Sequence, residues 1–273
     1  MKRADLFSEE HNLFRETVAK FIEREITPFH DQWEQDGQVS RELWRKAGQA
    51  GLLCPNVSET YGGLGADFLY NVVLAEELAR AGATGPGFAV HSDMAATYIE
   101  TFGSEEQKAY WLPRLISGES IAALGLTEPG AGSDLKEIRT TAVAEGDSYL
   151  INGQKVYISN GQLCDLVVLA CKTDLAAKAR GMSFILVEAT REGFSRGRNL
   201  EKIGLKAQDT SELFFTGVRV PRSNLLGKEG EAFKMAMHKL AQERLTIAVS
   251  ALAVVETALE QTVSYTKERK AFG

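Results

Sequence analysis

The stretch from Glu229 to Phe272 constrains the fold more than any other part of the chain. This stretch contains no proline, and its only glycine is Gly230. Because these two residue types interrupt helices most strongly, the stretch predicts one long helix. Apolar or small residues recur along it in alternating steps of four and three, which is typical of a helix packed in a bundle. These positions are 241, 245, 248, 252, 255 and 259.

The first third of the chain predicts helices only. From Ser8 to Ile26, apolar residues recur every three or four positions, with Ser8 as a plausible cap and Pro28 just beyond the end. Similar patterns, separated by turns that contain glycine or proline, predict four more helices. They cover residues 41–50, 68–81, 89–102 and 105–116. We therefore expect an all-helical N-terminal domain over residues 1–119.

The middle of the chain predicts short strands. β-rich runs occur at 149–151, 155–159, 166–171, 184–187 and 212–218. Asn152-Gly153, which lies between the first two runs, predicts a hairpin turn. Regularly spaced strands joined by polar turns indicate a small barrel or sandwich, here over residues 120–228. With a helical domain beginning at residue 229, the predicted fold class is α+β: a helical domain, a β-barrel or β-sandwich domain, and the start of a helical bundle.

Composition excludes several classes of protein. A formal net charge of −6 argues against a nucleic-acid-binding protein, which needs a concentrated basic surface. No apolar run approaches the roughly 18 residues of a membrane span, and the first residues lack the apolar core of a signal peptide, so we expect an intracellular protein. Cys54, Cys164 and Cys171 are widely spaced, and the four histidines lack ligand spacing, so no metal site is predicted.

The segment Leu126-Thr-Glu-Pro-Gly-Ala-Gly-Ser-Asp134 predicts a tight loop. Its proline and two glycines cannot continue a helix or a central strand, and they leave backbone N–H groups exposed. Such loops suit anions and the polar edges of rings, although a plain surface turn is the alternative interpretation. Within the loop, we expect Glu128 to have a structural role and Asp134 to brace the loop or begin a helix.

Three segments in this order resemble the acyl-CoA dehydrogenase family of flavoproteins: this loop, Tyr157-Ile-Ser159 and Arg269-Lys-Ala-Phe-Gly273. The resemblance covers essentially the whole chain, and the family has the same order of domains as the one predicted above. It implies FAD as cofactor. Members continue beyond the Phe-Gly pair, whereas this sequence ends at Gly273, without the C-terminal part of the last helical domain.

The resemblance implies how FAD is bound. Backbone groups and a threonine hydroxyl of the loop bond the polar edge of the flavin ring and the pyrophosphate, an aromatic residue shields one ring face, and an arginine reaches the pyrophosphate of a neighbouring subunit. The matching residues are Leu126, Thr127, Gly132 and Ser133, then Tyr157, Ile158 and Ser159, and finally Arg269. Tyr157 and Ile158 as ordinary strand residues, and Arg269 at a solvated helix end, are the alternatives.

The resemblance also implies a catalytic base. In long-chain and isovaleryl-type members, a glutamate on the helix that opens the last domain removes the proton next to the thioester carbonyl. Glu243, within Ala241-Gln-Glu-Arg-Leu245, matches it. Burial would raise the pKa of this carboxylate towards the working pH, and we expect Ala241 and Leu245 to lie on the buried side with it. A solvated helix face is the alternative.

For the substrate, the resemblance implies that Ser133, Arg180 and Arg244 contact the CoA thioester and that the acyl chain passes Gly85 and Gly87. An exposed loop position is the alternative for Arg180. Side-chain volume on the floor of the acyl cavity would set the preference for chain length.

The function that the resemblance implies is FAD-dependent desaturation of a saturated acyl-CoA to the trans-2-enoyl-CoA. An electron-transfer flavoprotein would reoxidise the cofactor, in a homodimer or homotetramer that acts in fatty acid β-oxidation. An acyl-CoA oxidase or flavin monooxygenase on the same fold, or a non-catalytic fragment without flavin, are the alternatives. The compartment would be the bacterial cytoplasm or the mitochondrial matrix.

Overall fold

The computed structural model describes residues 6–272, so Gly273 lies outside the described residues. Within residues 6–272, six α-helices precede the sheet and one follows it. They are α1 (Glu9–Glu25), α2 (His30–Asp36), α3 (Arg41–Gln49), α4 (Phe68–Arg80), α5 (Ala96–Phe102), α6 (Glu105–Ile116) and α7 (Ala232–Glu268). The α+β class and its order of helices, strands and a final helix are confirmed. The divisions at 119/120 and 228/229 stay predictions, and both fall between elements.

The predicted helices of the first third are present. The Ser8 side chain caps α1 by accepting a hydrogen bond from the His11 backbone N–H, as its sequence position suggested. Two features were not predicted: the short helix α2, and a wide π-helical turn, Val90–Ala95, immediately before α5. Side chains of α1, α3 and α4 pack into one apolar core around Trp44, which is fully buried.

Eight strands form one sheet in the order β6-β7-β3-β2-β4-β5-β8, and β1 pairs in parallel with β4. They are β1 (Ala122–Gly125), β2 (Thr141–Glu145), β3 (Ser148–Ser159), β4 (Leu166–Lys172), β5 (Met182–Glu188), β6 (Phe194–Asn199), β7 (Thr210–Pro221) and β8 (Leu225–Leu226). Strand β4 is buried on both faces, because its alternate side chains enter two different cores. One core lies within the sheet, and the other lies between the sheet and the helices.

The predicted hairpin turn at Asn152-Gly153 is wrong, because both residues lie inside the continuous strand β3. The β2–β3 turn is instead formed by Gly146 and the residue after it, between Glu145 and Ser148. At Asn152 the register with β7 shifts, and its Oδ1 accepts a hydrogen bond from the Gly217 N–H at 2.8 Å. The Asn-Gly pair therefore marks a β-bulge. A bulge needs the same unusual backbone conformations as a hairpin turn, which is why the sequence suggested a turn here.

Helix α7 is one long helix, as predicted, but its buried face is not the predicted one. Leu245, Leu252, Val255 and Leu259 of the predicted stripe are each at least half exposed. The side that packs on α4 instead buries Thr246 and Ala253. The apolar period thus predicted the helix correctly, but within the described residues its most apolar stripe packs on no other element.

Helix α7 bears on the expectation that no part of the chain is apolar enough over the length of a membrane span. It contains an 18-residue window with a mean hydropathy of 1.3, of which 17% is buried, so by length and composition alone it is long and apolar enough to cross a bilayer. A bundle helix of a soluble protein passes the same test.

We expect Gly153→Ala to lower the free energy of unfolding by about 3 kcal/mol. At φ +151° a Cβ there would lie 2.4 Å from Thr140 Oγ1 and 2.6 Å from its Cα. Gly146→Ala is the matched control, because Gly146 has φ +56° but open space around it, and should cost only about 1 kcal/mol. Urea unfolding measures both variants, and equal losses would contradict the bulge packing.

Candidate functional site

A buried ion pair fixes the start of the loop at Leu126–Asp134. The Lys155 ammonium on β3 lies 2.8 Å from Glu128 Oε1 and donates to the Leu126 carbonyl at 3.0 Å. Both side chains are buried. Burial lowers the pKa of Lys155, and Glu128 opposes that shift. Burial alone would raise the pKa of Glu128, but Lys155 and further hydrogen-bond donors hold it below its usual value.

The remaining hydrogen bonds of Glu128 shape the loop. Its carboxylate accepts from the backbone N–H groups of Arg139 at 2.6 Å and Thr140 at 3.0 Å. Its own N–H and C=O pair with the backbone of Ala131, which closes a tight turn over Pro129 and Gly130. The predicted structural role of Glu128 is confirmed. Asp134 accepts from the Lys136 N–H and so begins a short 3₁₀ turn, as predicted.

The same loop is joined to the Tyr157 segment. The Val156 N–H donates to the Thr127 carbonyl at 3.0 Å, so the two predicted cofactor segments are neighbours. Tyr157 lies in a second bulge of β3, with φ +59° and a side chain that is 68% exposed. A non-glycine residue held in this conformation is strained, and such strain occurs mostly at functional sites. Ile158 turns its side chain into the sheet core, which leaves only its backbone for a ligand.

The outer half of the loop is open. Gly132 and Ser133 are exposed, whereas Leu126 and Thr127 are half-buried. A Cβ added at Gly132 would meet no atom within 4 Å, and its φ lies outside the left-handed region, so nothing in the described chain requires glycine there. A ligand that lies against the backbone would explain the residue. The exposed backbone at Gly132 and the hydroxyls of Thr127 and Ser133 therefore fit the polar edge of a flavin.

Glu243 lies on α7 with its side chain half-buried. Its Oε1 is buried and has no hydrogen-bond partner among the described residues. Burial raises the pKa of Glu243, while the nearby Tyr98 hydroxyl and Lys239 ammonium lower it in part. Tyr98 approaches the carboxylate without reaching hydrogen-bonding geometry, and its ring packs edge-on against Phe184 of β5 at 4.9 Å. Tyr98 was not predicted, because a tyrosine within a helical pattern carries no signal of its partner.

The expected burial of the residues beside Glu243 is wrong. Ala241 and Leu245 are exposed, and the face of α7 that turns inward carries Glu243 and, one turn later, Thr246. Glu243 is therefore at the edge of the buried face, which is where a carboxylate can be both desolvated and reachable.

A cavity of about 340 Å³ continues from this face of α7. It lies between α4, the π-helical turn and α7, and its lining is mostly apolar. Leu74 and Leu78 line it from α4, and α7 contributes one face. That face consists of Thr246, Ser250, Val254, Thr257, Ala258 and Gln261. Its lining follows α7 from Thr246 to Gln261, so the cavity extends along the helix, as the site of an extended apolar chain would.

Gly85 and Gly87 do not line this cavity, so their predicted role beside the acyl chain is wrong. A Cβ at Gly85 would lie 2.8 Å from Val39 Cγ1, and one at Gly87 would lie 1.9 Å from Asn160 Oδ1. Both glycines allow close packing between the helices and the sheet region. Their neighbours Thr84, Pro86 and Ala89 form the cavity wall instead.

The structure does not bring the predicted arginines into this arrangement. Arg180 and Arg244 are exposed, and neither side chain makes a hydrogen bond or an ion pair within the described residues. Arg269 caps the end of α7, with Nη1 3.0 Å from the Tyr265 hydroxyl, and does not reach the loop of its own chain. Within residues 6–272, no group of three His, Cys, Asp or Glu side chains could hold a metal ion.

Comparison with known proteins identifies the class. The acyl-CoA dehydrogenase N-terminal, middle and C-terminal domain families match residues 8–119, 123–218 and 230–273. An acyl-CoA dehydrogenase from Geobacillus kaustophilus, of known crystal structure, is 50% identical, with a TM-score of 0.95 over 98% of this chain and 71% of that one. The chain belongs to the acyl-CoA dehydrogenase family.

Two further relatives are informative. The mitochondrial long-chain specific acyl-CoA dehydrogenase of Sus scrofa is 49% identical over 270 residues, and the match covers 98% of this chain and 63% of the pig protein. A glutaryl-CoA dehydrogenase from Mycobacterium smegmatis, solved in complex with FADH2, is 31% identical with a TM-score of 0.89, covering 99% of this chain and 69% of that one. The chain therefore spans less than two thirds of the pig protein's length.

We expect Lys155→Met to lower the free energy of unfolding by about 3–5 kcal/mol, because it leaves the Glu128 carboxylate buried without its counter-charge. Lys136→Met is the control: Lys136 is exposed on the same loop, and its loss should change stability by less than about 0.5 kcal/mol. Urea unfolding at neutral pH separates the two. Equal stabilities would show that the ion pair does not hold the loop.

Proposed function

We propose that the protein is an FAD-dependent acyl-CoA dehydrogenase that desaturates a saturated acyl-CoA to the trans-2-enoyl-CoA. The observation that carries this proposal is Glu243, a half-buried carboxylate with an unpartnered buried oxygen, one turn before a mostly apolar cavity. The dehydrogenase relatives and the shape of the loop support it.

The residues that would hold FAD are those of the loop and of the bulge in β3. Leu126, Thr127, Gly132 and Ser133 present backbone groups and two hydroxyls to the polar edge of the ring and the pyrophosphate. Tyr157 supplies an exposed aromatic face for the ring, while Ile158 and Ser159 contribute backbone. FAD bound by these residues would supply the acceptor for the hydride of the β-carbon. Donors fixed by the Lys155 ion pair stabilise negative charge on the ring without having to reorganise.

Glu243 takes the proton from the α-carbon of the thioester. An ordinary carboxylate is too weak a base for this step, and burial raises the pKa of Glu243 in the required direction, while Tyr98 and Lys239 offset part of that rise. Its unpartnered Oε1 is the atom that receives the proton. The acyl chain then lies in the cavity between α4 and α7, and the CoA part extends past Ser133, Arg180 and Arg244.

We also propose that an electron-transfer flavoprotein reoxidises the cofactor and that the protein acts as a homodimer or homotetramer in fatty acid β-oxidation. In such an assembly Arg269, which is exposed at the end of α7, would exchange its contact with Tyr265 for the pyrophosphate of a neighbouring subunit. Relatives occur in bacteria and in mitochondria, which supports a bacterial cytoplasmic or mitochondrial matrix location. The names of the relatives favour a dehydrogenase over an oxidase, a monooxygenase or an inert fragment.

We expect Glu243→Gln to retain FAD and acyl-CoA binding while losing at least about 10²–10⁴-fold in the rate of flavin reduction. The flavin band is recorded without oxygen while palmitoyl-CoA is added to FAD-loaded protein. Wild type should bleach, as should Glu260→Gln, which removes an exposed carboxylate of the same helix. A near-normal rate in Glu243→Gln would remove this residue as the base. Absence of bleaching in wild type would contradict the dehydrogenase proposal.

Tyr98→Phe should move the acidic limb of the pH–rate profile to higher pH. The base acts in its ionised form, so the rate rises as pH increases through the pKa of Glu243. Removing the hydroxyl that lowers this pKa raises it further, and the limb follows. Tyr110→Phe, at an exposed tyrosine on α6, should leave the profile unchanged. A limb that stays in place would show that Tyr98 does not tune the base.

A further inference from the structure

Four buried polar side chains interrupt the apolar wall of the cavity between α4 and α7, and each is less than 10% exposed. Ser92 accepts a hydrogen bond from the Cys54 backbone N–H at 2.9 Å. The other three are Asn71 of α4, Asp93 of the π-helical turn and Thr246 of α7. The Asn71 Nδ2 amide donates a hydrogen bond to Asp93 Oδ1. An acyl cavity that served hydrocarbon alone would bind better without them, because buried polar groups weaken the binding of apolar chains.

Their hydrogen bonds are incomplete. Asn71 Oδ1 and Thr246 Oγ1 are buried and have no partner among the described residues. Other hydroxyls of the same cavity are satisfied within α7: Ser250 donates to the Thr246 carbonyl at 2.9 Å, and Thr257 donates to the Ala253 carbonyl at 2.8 Å. A buried polar atom without a partner destabilises a protein, so these two atoms need an explanation outside this set of contacts.

The backbone is shaped around the same place. The π-helical turn Val90–Ala95 widens the helix at Asp93, and Thr97 Oγ1 donates to the carbonyls of Asp93 and Met94. Such turns occur frequently at functional sites. Burial raises the pKa of Asp93 to about 7, so the fold retains a carboxyl group there against its desolvation cost. A carboxyl group, an amide oxygen and a hydroxyl around one cavity can bind an alcohol group.

We propose, on the basis of the function proposed above, that the substrate is an acyl-CoA with a hydroxyl group on its acyl tail. The hydroxyl donates to Asn71 Oδ1 or to the second oxygen of Asp93, and it accepts from the Thr246 hydroxyl. Thr246 lies only about 4.5 Å along α7 from Glu243, whereas the cavity continues to Gln261, about 22 Å beyond Thr246. The hydroxyl is therefore several carbons beyond the reacting pair and not at the end of a long chain.

The test compares acyl-CoA thioesters of one chain length that differ only in the position of a single hydroxyl group. Dodecanoyl-CoA and its isomers hydroxylated from the fifth to the terminal carbon are titrated into FAD-loaded protein by calorimetry, and flavin bleaching is followed separately. We expect one mid-chain isomer to bind about tenfold more tightly than dodecanoyl-CoA, the effect of one good hydrogen bond. The terminal isomer should show no such gain.

Two variants identify the residues. Asn71→Leu combined with Asp93→Leu removes both partners of one hydrogen bond, which leaves neither group unpaired and so preserves the fold. It should abolish the preference and bind dodecanoyl-CoA at least as tightly as wild type does. Ser250→Ala is the matched control, because its hydroxyl lines the same cavity but is already satisfied by α7, and it should keep the preference.

Each outcome decides the matter. If dodecanoyl-CoA binds wild type as tightly as every hydroxylated isomer, or if the double leucine variant keeps the preference, the inference is wrong. Binding with the mid-chain preference but without bleaching upholds the hydroxyl site and contradicts the dehydrogenation. Bleaching without the preference upholds the dehydrogenation and contradicts the hydroxyl site. If none of these thioesters binds, both the hydroxyl site and the dehydrogenase function are contradicted.

Discussion

The ion pair between Lys155 and Glu128 is the interaction on which the candidate site depends. The loop that begins at Leu126 contains residues that cannot join a helix or a central strand, so regular hydrogen bonding does not define its shape. A buried carboxylate does so instead, by accepting from Lys155 and from two backbone N–H groups of the segment after the loop. Because both charges are buried, neither can be lost without exposing the other to an uncompensated desolvation cost.

The second half of the site depends on helix α7. It carries Glu243 at the edge of its buried face and the cavity wall along the rest of that face. Tyr98 connects this helix to the sheet, since its ring packs on Phe184 while its hydroxyl approaches Glu243. The Glu243 carboxylate is thereby positioned by contacts from two elements. The exposed apolar stripe on the opposite side of α7 takes no part in these contacts.

Much of the architecture could be predicted from sequence, because periodicity reports which residues share a face. It predicted α1 with its Ser8 cap, the strands β3, β4, β5 and β7 of the middle domain and the length of α7. Periodicity could not show which face of a helix is packed against another element. In α7, the apolar stripe through Leu245 has the period of a packed helix, yet it is exposed. Asn152-Gly153 was misread because a bulge and a hairpin turn require the same backbone freedom.

Within the site, the sequence predicted the loop and a candidate base but not their partners. The family resemblance suggested Thr127 and Glu243 and their roles stay predictions, whereas Lys155, Tyr98 and the Asn71 and Asp93 pair depend on contacts between distant parts of the chain. Gly85 and Gly87 show the opposite error. The sequence analysis placed these small residues beside the acyl chain, whereas the structure shows that they allow close packing of the helices. A residue type shows what a side chain can do, and only the tertiary contact shows whether it does so.

The most direct test of the account is a crystal structure of the protein with FAD and a non-reducible acyl-CoA thioether analogue. The account predicts the flavin ring against Thr127 and Tyr157, the α-carbon of the analogue in contact with the Glu243 carboxylate, and the acyl chain between α4 and α7. A flavin bound away from the loop, or an α-carbon facing a different carboxylate, would contradict it.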